Sequence, residues 1–207
     1  MANKIYKDGT EYTGKWNNGL PHGYGKLTHP NGSYYKGHFN DGDRHGQGTY
    51  ESHEELYTGE FREDLYDGQG LLKVKDKYEY KGEFKEGVFH GQGYLHLIDH
   101  ITYDGQWIDG KKHGKGELRV IILPDEQRSG NDKYYETYTG EFENDLFNGF
   151  GVYHHADGSV YEGSFKDNVR MGQGKLTLPT GEVYQGAFNG TELLGDDGKK
   201  YKVGDDS

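Results

Sequence analysis

Four histidines recur at one place in the chain's pattern: His22, His45, His90 and His113, each followed at once by glycine. Imidazole is a common zinc ligand, so a regular row of histidines is the first feature to test for chemistry. On every second strand of a sheet, equivalent residues stand about 9–10 Å apart. A zinc ligand must lie about 2 Å from its ion, so such histidines cannot share one, and they read as hydrogen-bonding residues of hairpin loops. His96, His100, His154 and His155 are too scattered to change this. Gly-x-Gly follows each time, as in Gly46-Gln47-Gly48. A phosphate loop needs a helix N-terminus or a lysine-bearing nest after its glycines, and neither follows here. Cysteine is absent, serine is sparse, and the acids are scattered with no nucleophile–base pair or paired carboxylates. The expectation is a protein that is not an enzyme, with no metal and no cofactor.

The net charge of −11 repels nucleic-acid backbones and anionic lipid surfaces. Nucleic acid is excluded as a partner, and membrane phospholipid is disfavoured. A chain without cysteine fits a reducing, cytoplasmic compartment. The N-terminus lacks the apolar stretch of a secretion signal. The longest aliphatic run, Val120 to Leu123, is too short to cross a bilayer.

The elements that hold these residues come from a tandem repeat of about 23 residues. Its unit is Tyr-x-Gly-x-(Phe/Trp)-x-x-Gly-x-x-His-Gly-x-Gly-x-(Leu/Tyr). Copies start at Tyr12, Tyr35, Tyr57, Tyr80, Tyr103, Tyr138 and Tyr161, and a decayed copy starts at Tyr184. Tyr12, Gly14 and Trp16 alternate as one face of a strand, and Gly23, Gly25 and Leu27 read as the same face of the next. About six residues, Asn17 to His22, join them. Pro30-Asn31-Gly32 and Ala156-Asp157-Gly158 carry tight-turn chemistry between repeats. Each repeat is therefore two strands and two turns. Hydrophobic residues make up only 31% of the chain, against 35 glycines and 19 tyrosines. The spacing suggests a thin core in which an aromatic ring from a neighbouring strand fills the hollow over each strand glycine.

The eighth position of the repeat holds Gly19, Gly42, Asp64, Gly87, Gly110, Asp145 and Asn168, all types that tolerate positive φ, which places a left-handed turn residue there. The repeats lacking glycine at this position are those lacking histidine at the eleventh (Asp67, Asn148, Met171), so the two positions are expected to touch through the hairpin loop.

The segments Tyr35-Lys36-Gly37-His38-Phe39, His45-Gly46-Gln47-Gly48 and Tyr161-Glu162-Gly163-Ser164-Phe165 resemble the MORN (membrane occupation and recognition nexus) repeat, and the resemblance runs over roughly residues 6 to 190. The expected fold is all-β: a single elongated, twisted antiparallel sheet of tandem β-hairpins, about eight repeats, with residues 1–207 as one array. The resemblance implies scaffolding through protein partners, cytoskeletal or axonemal (ciliary) assemblies, and, less securely, phospholipid binding. Two alternatives follow: a phosphoinositide-binding membrane adaptor and an accessory subunit of an enzyme on another chain.

Three groups of residues are candidates for contact. The first is the aromatic face, which would hold a peptide or helix: Tyr35, Phe39, Tyr57, Phe61, Tyr80, Phe84, Tyr103, Trp107, Tyr138, Phe142, Tyr161 and Phe165. The competing reading is that these rings are simply core. The second is the insertion at 119–137, expected to form an extended hairpin offering Val120, Ile121, Ile122, Leu123, Tyr134 and Tyr135. The third is a basic cluster, Lys111, Lys112, Lys115 and Arg119, which could meet an anion. Residues 191–207 read as a C-terminal cap and tail.

Overall fold

The computed structural model describes residues 2–98, 100–122, 134–194 and 200–203. Among them there is no helix. The strands are β1 (Ala2–Ile5), β2 (Glu11–Asn17), β3 (Leu20–Thr28), β4 (Tyr34–Asn40), β5 (Asp43–Glu51), β6 (Glu55–Arg62), β7 (Leu65–Val74), β8 (Tyr78–Lys85), β9 (Val88–Leu97), β10 (Ile101–Ile108), β11 (Lys111–Ile122), β12 (Tyr134–Glu143), β13 (Leu146–His154), β14 (Val160–Lys166), β15 (Val169–Thr177), β16 (Val183–Asn189), β17 (Glu192–Leu194) and β18 (Lys200–Lys202). Two compact units are distinguished: Met1–Ile98 with Ile108–Gly110, and Asp99–Trp107 with Lys111–Ser207. In the first, β1 to β9 pair consecutively and antiparallel. In the second, β11 to β18 do the same. The all-β, tandem-hairpin architecture read from the repeat is the one the chain adopts.

The hairpin turn is shorter than the six residues expected. The seventh and eighth positions both have positive φ: 49° and 79° at Asn18-Gly19, 47° and 106° at Asp41-Gly42, 50° and 68° at Glu63-Asp64. That is the signature of a two-residue type I′ turn, whose twist matches the flanking strands. The residues assigned to a loop belong to the ladder instead, with Trp16 opposite Pro21 and Asn17 opposite Leu20. The surplus is absorbed by a bulge, because Gly14 already pairs with Gly25. His22, Gly23 and Tyr24 thus stand against Lys15 alone. Gly23, at φ 64°, makes the bulge possible, and Gly46, Gly68, Gly91, Gly114, Gly149 and Gly172 repeat it. Gly23 therefore does not continue the alternation of Gly25 and Leu27.

The eighth and eleventh positions do not meet within one hairpin, as the sequence suggested; each reaches the adjoining repeat. The N–H of Gly42 donates to the carbonyl of Pro21 (2.9 Å), that of Asp64 to Arg44 (3.1 Å) and that of Asn168 to Phe147 (3.0 Å). Where Asp or Asn replaces glycine, its side chain adds a bond: Asp64 Oδ1 accepts the Arg44 amide (2.9 Å), Asp145 Oδ1 that of Lys112 (2.9 Å) and Asn168 Oδ1 that of Phe147 (2.7 Å). From the eleventh position, His22 Nδ1 lies 3.4 Å from Asp41 of the following repeat. Within each unit this ladder of tips ties neighbouring repeats together.

The core is built on the first residue of the repeat. Tyr12, Tyr35, Tyr57, Tyr80, Tyr103, Tyr138 and Tyr161 are each at most 1% exposed. The ring covers a glycine of the neighbouring strand, as the sequence suggested, but also one of its own strand, where the sequence reading expected a ring from a neighbour. A Cβ on Gly14 would stand 2.3 Å from the Tyr12 hydroxyl, and one on Gly25 would stand 2.4 Å from it. One tyrosine thus covers two glycines that pair across the strands. In these hairpins the bulge leaves the fourth residue without a partner on the following strand, and the tyrosine hydroxyl donates to its carbonyl: Tyr12 to Lys15, Tyr35 to His38 and Tyr57 to Glu60, all at 2.8 Å. This selects tyrosine over phenylalanine, since a buried carbonyl without a donor costs about 1–3 kcal/mol.

Candidate partner-binding face

All twelve aromatic residues named from the sequence as a contact face are core, none more than 5% exposed. Within each unit a tyrosine packs edge to face with the Phe or Trp of its own repeat and that of the next: Tyr35 meets Phe39 at 5.0 Å and Phe61 at 4.8 Å, and Tyr57 meets Phe61 at 5.0 Å and Phe84 at 5.2 Å. Burial pushes the tyrosine hydroxyls up, that of Tyr138 to about 12. A partner approaching this face meets another layer first.

That layer is the tenth position, which the sequence reading missed. It holds Pro21, Arg44, Tyr66 and Phe89 in the first unit and Lys112, Phe147 and Arg170 in the second. The bulge places it opposite the fifth residue and so on the aromatic side: Pro21 opposite Trp16, Arg44 opposite Phe39, Tyr66 opposite Phe61. Aromatic members stack flat on the core tyrosine, Tyr66 on Tyr57, Phe89 on Tyr80 and Phe147 on Tyr138, each at 3.7 Å. Cationic members sit over the same ring instead: Arg44 at 5.9 Å from Tyr35, Lys112 at 5.9 Å from Tyr103 and Arg170 at 5.2 Å from Tyr161. The signal was present in the sequence: six of these seven residues are large, and all six stack flat or place a cation over a ring.

Among the described residues, a groove opens on this layer in each unit. The first, about 600 Å³, is lined by Leu27, His29, Tyr35, Arg44, Tyr50, Glu55, Asp64 and Tyr66 among others. Arg44 Nε is 3.0 Å from Asp64 Oδ1, and the Tyr66 hydroxyl donates to Glu55. The second, about 280 Å³, is lined by Phe147, Tyr153, His155, Phe165 and Arg170 among others. Arg170 Nη2 stands 2.9 Å from His155 Nε2. These walls offer aromatic surface with fixed charges and hydroxyls, which suits recognition. Among the described residues, no group of three His, Asp or Glu is placed to hold a metal ion.

The other candidates separate. Lys112 lies 3.6 Å from Asp145, and Arg119 lies 3.1 Å from Glu117. Lys111 and Lys115 are exposed. In the insertion, β11 pairs with β12 out to Ile121 opposite Tyr135 and Ile122 opposite Tyr134. Ile122 and Tyr135 are exposed, and Arg119 lies 5.7 Å over the Tyr135 ring. Leu123 and the segment to residue 133 lie outside the described residues.

No curated protein sequence matches the chain. A similar solved structure is the TCP domain of SAS-4 (dCPAP) of Drosophila melanogaster in complex with a proline-rich motif of Ana2 (dSTIL): 13% identity, TM-score 0.42, covering 90% of this chain and 89% of that one. The MORN repeat family matches at residues 12–34, 35–53, 57–73, 80–100, 103–119, 138–160 and 161–183. These segments make up more than half of the sequence and begin at the tyrosines that form the core, so the chain belongs to the MORN repeat family.

Proposed function

We propose that this chain is a non-catalytic scaffold that holds segments of partner proteins against its aromatic side, through the tenth-position layer and the grooves beside it. MORN repeats form binding and scaffold modules rather than enzymes, and act on proteins or membranes. The observation that carries the reading is the partly exposed row of Arg44, Tyr66 and Phe89, with Lys112, Phe147 and Arg170 in the second unit, lying on a tyrosine core that is itself closed. Rigid aromatic and arginine side chains are the usual anchors of protein interfaces because they bury much area at little entropic cost. A net charge of −11 argues for a protein partner rather than an anionic lipid surface. The setting we propose is cytoplasmic, within a cytoskeletal or axonemal assembly; that part rests on the family resemblance.

The test replaces the layer and spares the core. Tyr66→Ser with Phe89→Ser leaves Tyr57 and Tyr80 in place. Partners that copurify with the native protein should be lost from this variant while its far-UV circular dichroism stays native. A folded variant that recovers the same partners would refute the assignment. Flotation with anionic vesicles at physiological salt checks the membrane alternative, which requires the protein to rise with the lipid.

A further inference from the structure

On the side away from the tyrosines, the repeats differ in who fills one backbone seat. In repeats three, four and five the fourth residue is Glu60, Glu83 or Gln106. Its side-chain oxygen accepts the amide N–H of the bulge residue opposite: Gln69 at 3.1 Å, Gln92 at 3.3 Å and Lys115 at 2.9 Å. The bulge amide is thus a seat for a carboxylate or amide oxygen. Repeats one and two have Lys15 and His38 at this position, and no side-chain oxygen takes the amides of Tyr24 and Gln47 among the described residues; His38 Nδ1 lies 3.3 Å from the Gln47 carbonyl instead.

Three lysines and the imidazole of His38 surround these seats. A Cβ on Gly23 would stand 3.3 Å from Lys15 Cδ, which places the lysine over the bulge. His38 pairs with Tyr24 across the strands, their rings 5.5 Å apart. Two residues further along, Lys26 stands directly opposite Lys36. Like charges in directly opposed positions weaken a sheet. Neither lysine has a carboxylate partner among the described residues, nor does Lys15; Lys26 leans over the Tyr34 ring at 4.3 Å. A positive patch with oxygen seats of its own, on a chain of net charge −11, is a local arrangement that an anion would complete.

We propose that the outer face of β2–β5 binds an acidic segment of a partner protein, with side-chain carboxylates seated on the bulge amides of Tyr24 and Gln47 between Lys15, His38, Lys26 and Lys36. Carboxylate is the chemistry because Glu60 and Glu83 fill the same seat in their own repeats. The two seats recur every second strand, about 9–10 Å apart, a distance that a peptide in the polyproline II conformation covers in three residues at roughly 3.1 Å each, which also returns the side chain to the same side. The motif sought therefore has Asp or Glu at positions i and i+3. This surface is opposite the aromatic layer and stands whether or not that layer binds anything.

The experiment uses the whole chain and a fluorescein-labelled twelve-residue peptide with glutamate at every third position. Fluorescence anisotropy should show binding that falls at least tenfold between low and moderate salt, and at least tenfold when the glutamates become glutamines. Amide signals of Tyr24 and Gln47 should shift on titration. Lys15→Gln with His38→Gln supplies repeats one and two with the acceptor that Gln106 provides in repeat five. That variant should keep or raise its Tm and lose at least tenfold in peptide affinity, whereas Lys81→Gln, elsewhere in the unit, should stay within twofold of the parent. Equal peptide affinity in the Lys15→Gln/His38→Gln variant would overturn the proposal. So would tighter binding of inorganic phosphate or of phosphatidylserine vesicles than of the peptide. Self-association in sedimentation that the same two substitutions abolish, without peptide, would assign the patch to a second copy and overturn it as well.

Discussion

Replacing Gly70 by alanine puts a methyl carbon 2.4 Å from the Tyr57 hydroxyl and 2.6 Å from two of its ring carbons. Carbon atoms in good contact stand about 3.5–4.0 Å apart, so the ring must move by roughly an ångström. It has nowhere to go. Its hydroxyl is held by the Glu60 carbonyl at 2.8 Å, Tyr66 is stacked on it at 3.7 Å, and Phe61 and Phe84 close its edges at 5.0 and 5.2 Å. Overpacking of a tight core costs about 1–3 kcal/mol, and loss of the hydroxyl bond adds about 1–3 kcal/mol for the orphaned carbonyl. We therefore expect Gly70→Ala to cost about 3–5 kcal/mol. In a Tyr57→Leu background the shorter side chain does not reach Gly70, and the same alanine should cost nothing or gain a few tenths to about 1 kcal/mol from the stiffer unfolded chain. Urea denaturation of the four proteins of the cycle, followed by circular dichroism, measures the coupling. Additivity within about 0.5 kcal/mol is the behaviour of independent sites and would refute the account of the core.

Two further outcomes follow. Glu86 occupies the first left-handed position of its turn at φ 50°, a conformation in which asparagine is far less strained than glutamate. Glu86→Asn should raise stability by about 0.5–1 kcal/mol, read as a higher urea midpoint with unchanged slope; a lower midpoint would contradict the turn assignment. Burial holds the core tyrosine hydroxyls above their ordinary value near 10, with Tyr138 at about 12. The folded state then keeps protons that the unfolded chain releases, so this contribution is whole below pH 10 and is lost as pH rises from 10 through 12. The urea midpoint should be flat from pH 8 to 9.5 and fall steeply towards pH 11.5; a midpoint constant to pH 11.5 would show that the hydroxyls are not held as described.

Much of the fold was legible in the sequence because it repeats. Tyr12, Gly14 and Trp16 announce a strand by alternation, and the glycine, aspartate and asparagine at the eighth position announce a left-handed turn. The bulge was not legible. Reading Gly23, Gly25 and Leu27 as one alternating face is natural until Gly23 is seen at φ 64° with its strand slipped past Lys15. That slip moves Pro21, Arg44 and Tyr66 onto the aromatic side, which is why the layer over the tyrosine core was overlooked.

The sequence by itself determined the repeat, the all-β class and the family, because strand alternation and glycine-bearing turns are local properties of a few adjacent residues. Only the tertiary structure decided which side chains are spent on the core and which remain at the surface. Lys26 and Lys36 lie ten residues apart in the chain and face each other directly across two strands, and Glu60 meets the Gln69 amide only because a bulge lies between them. Such neighbours are set by ladder register, and register follows from the pairing of whole strands rather than from any local run of residues.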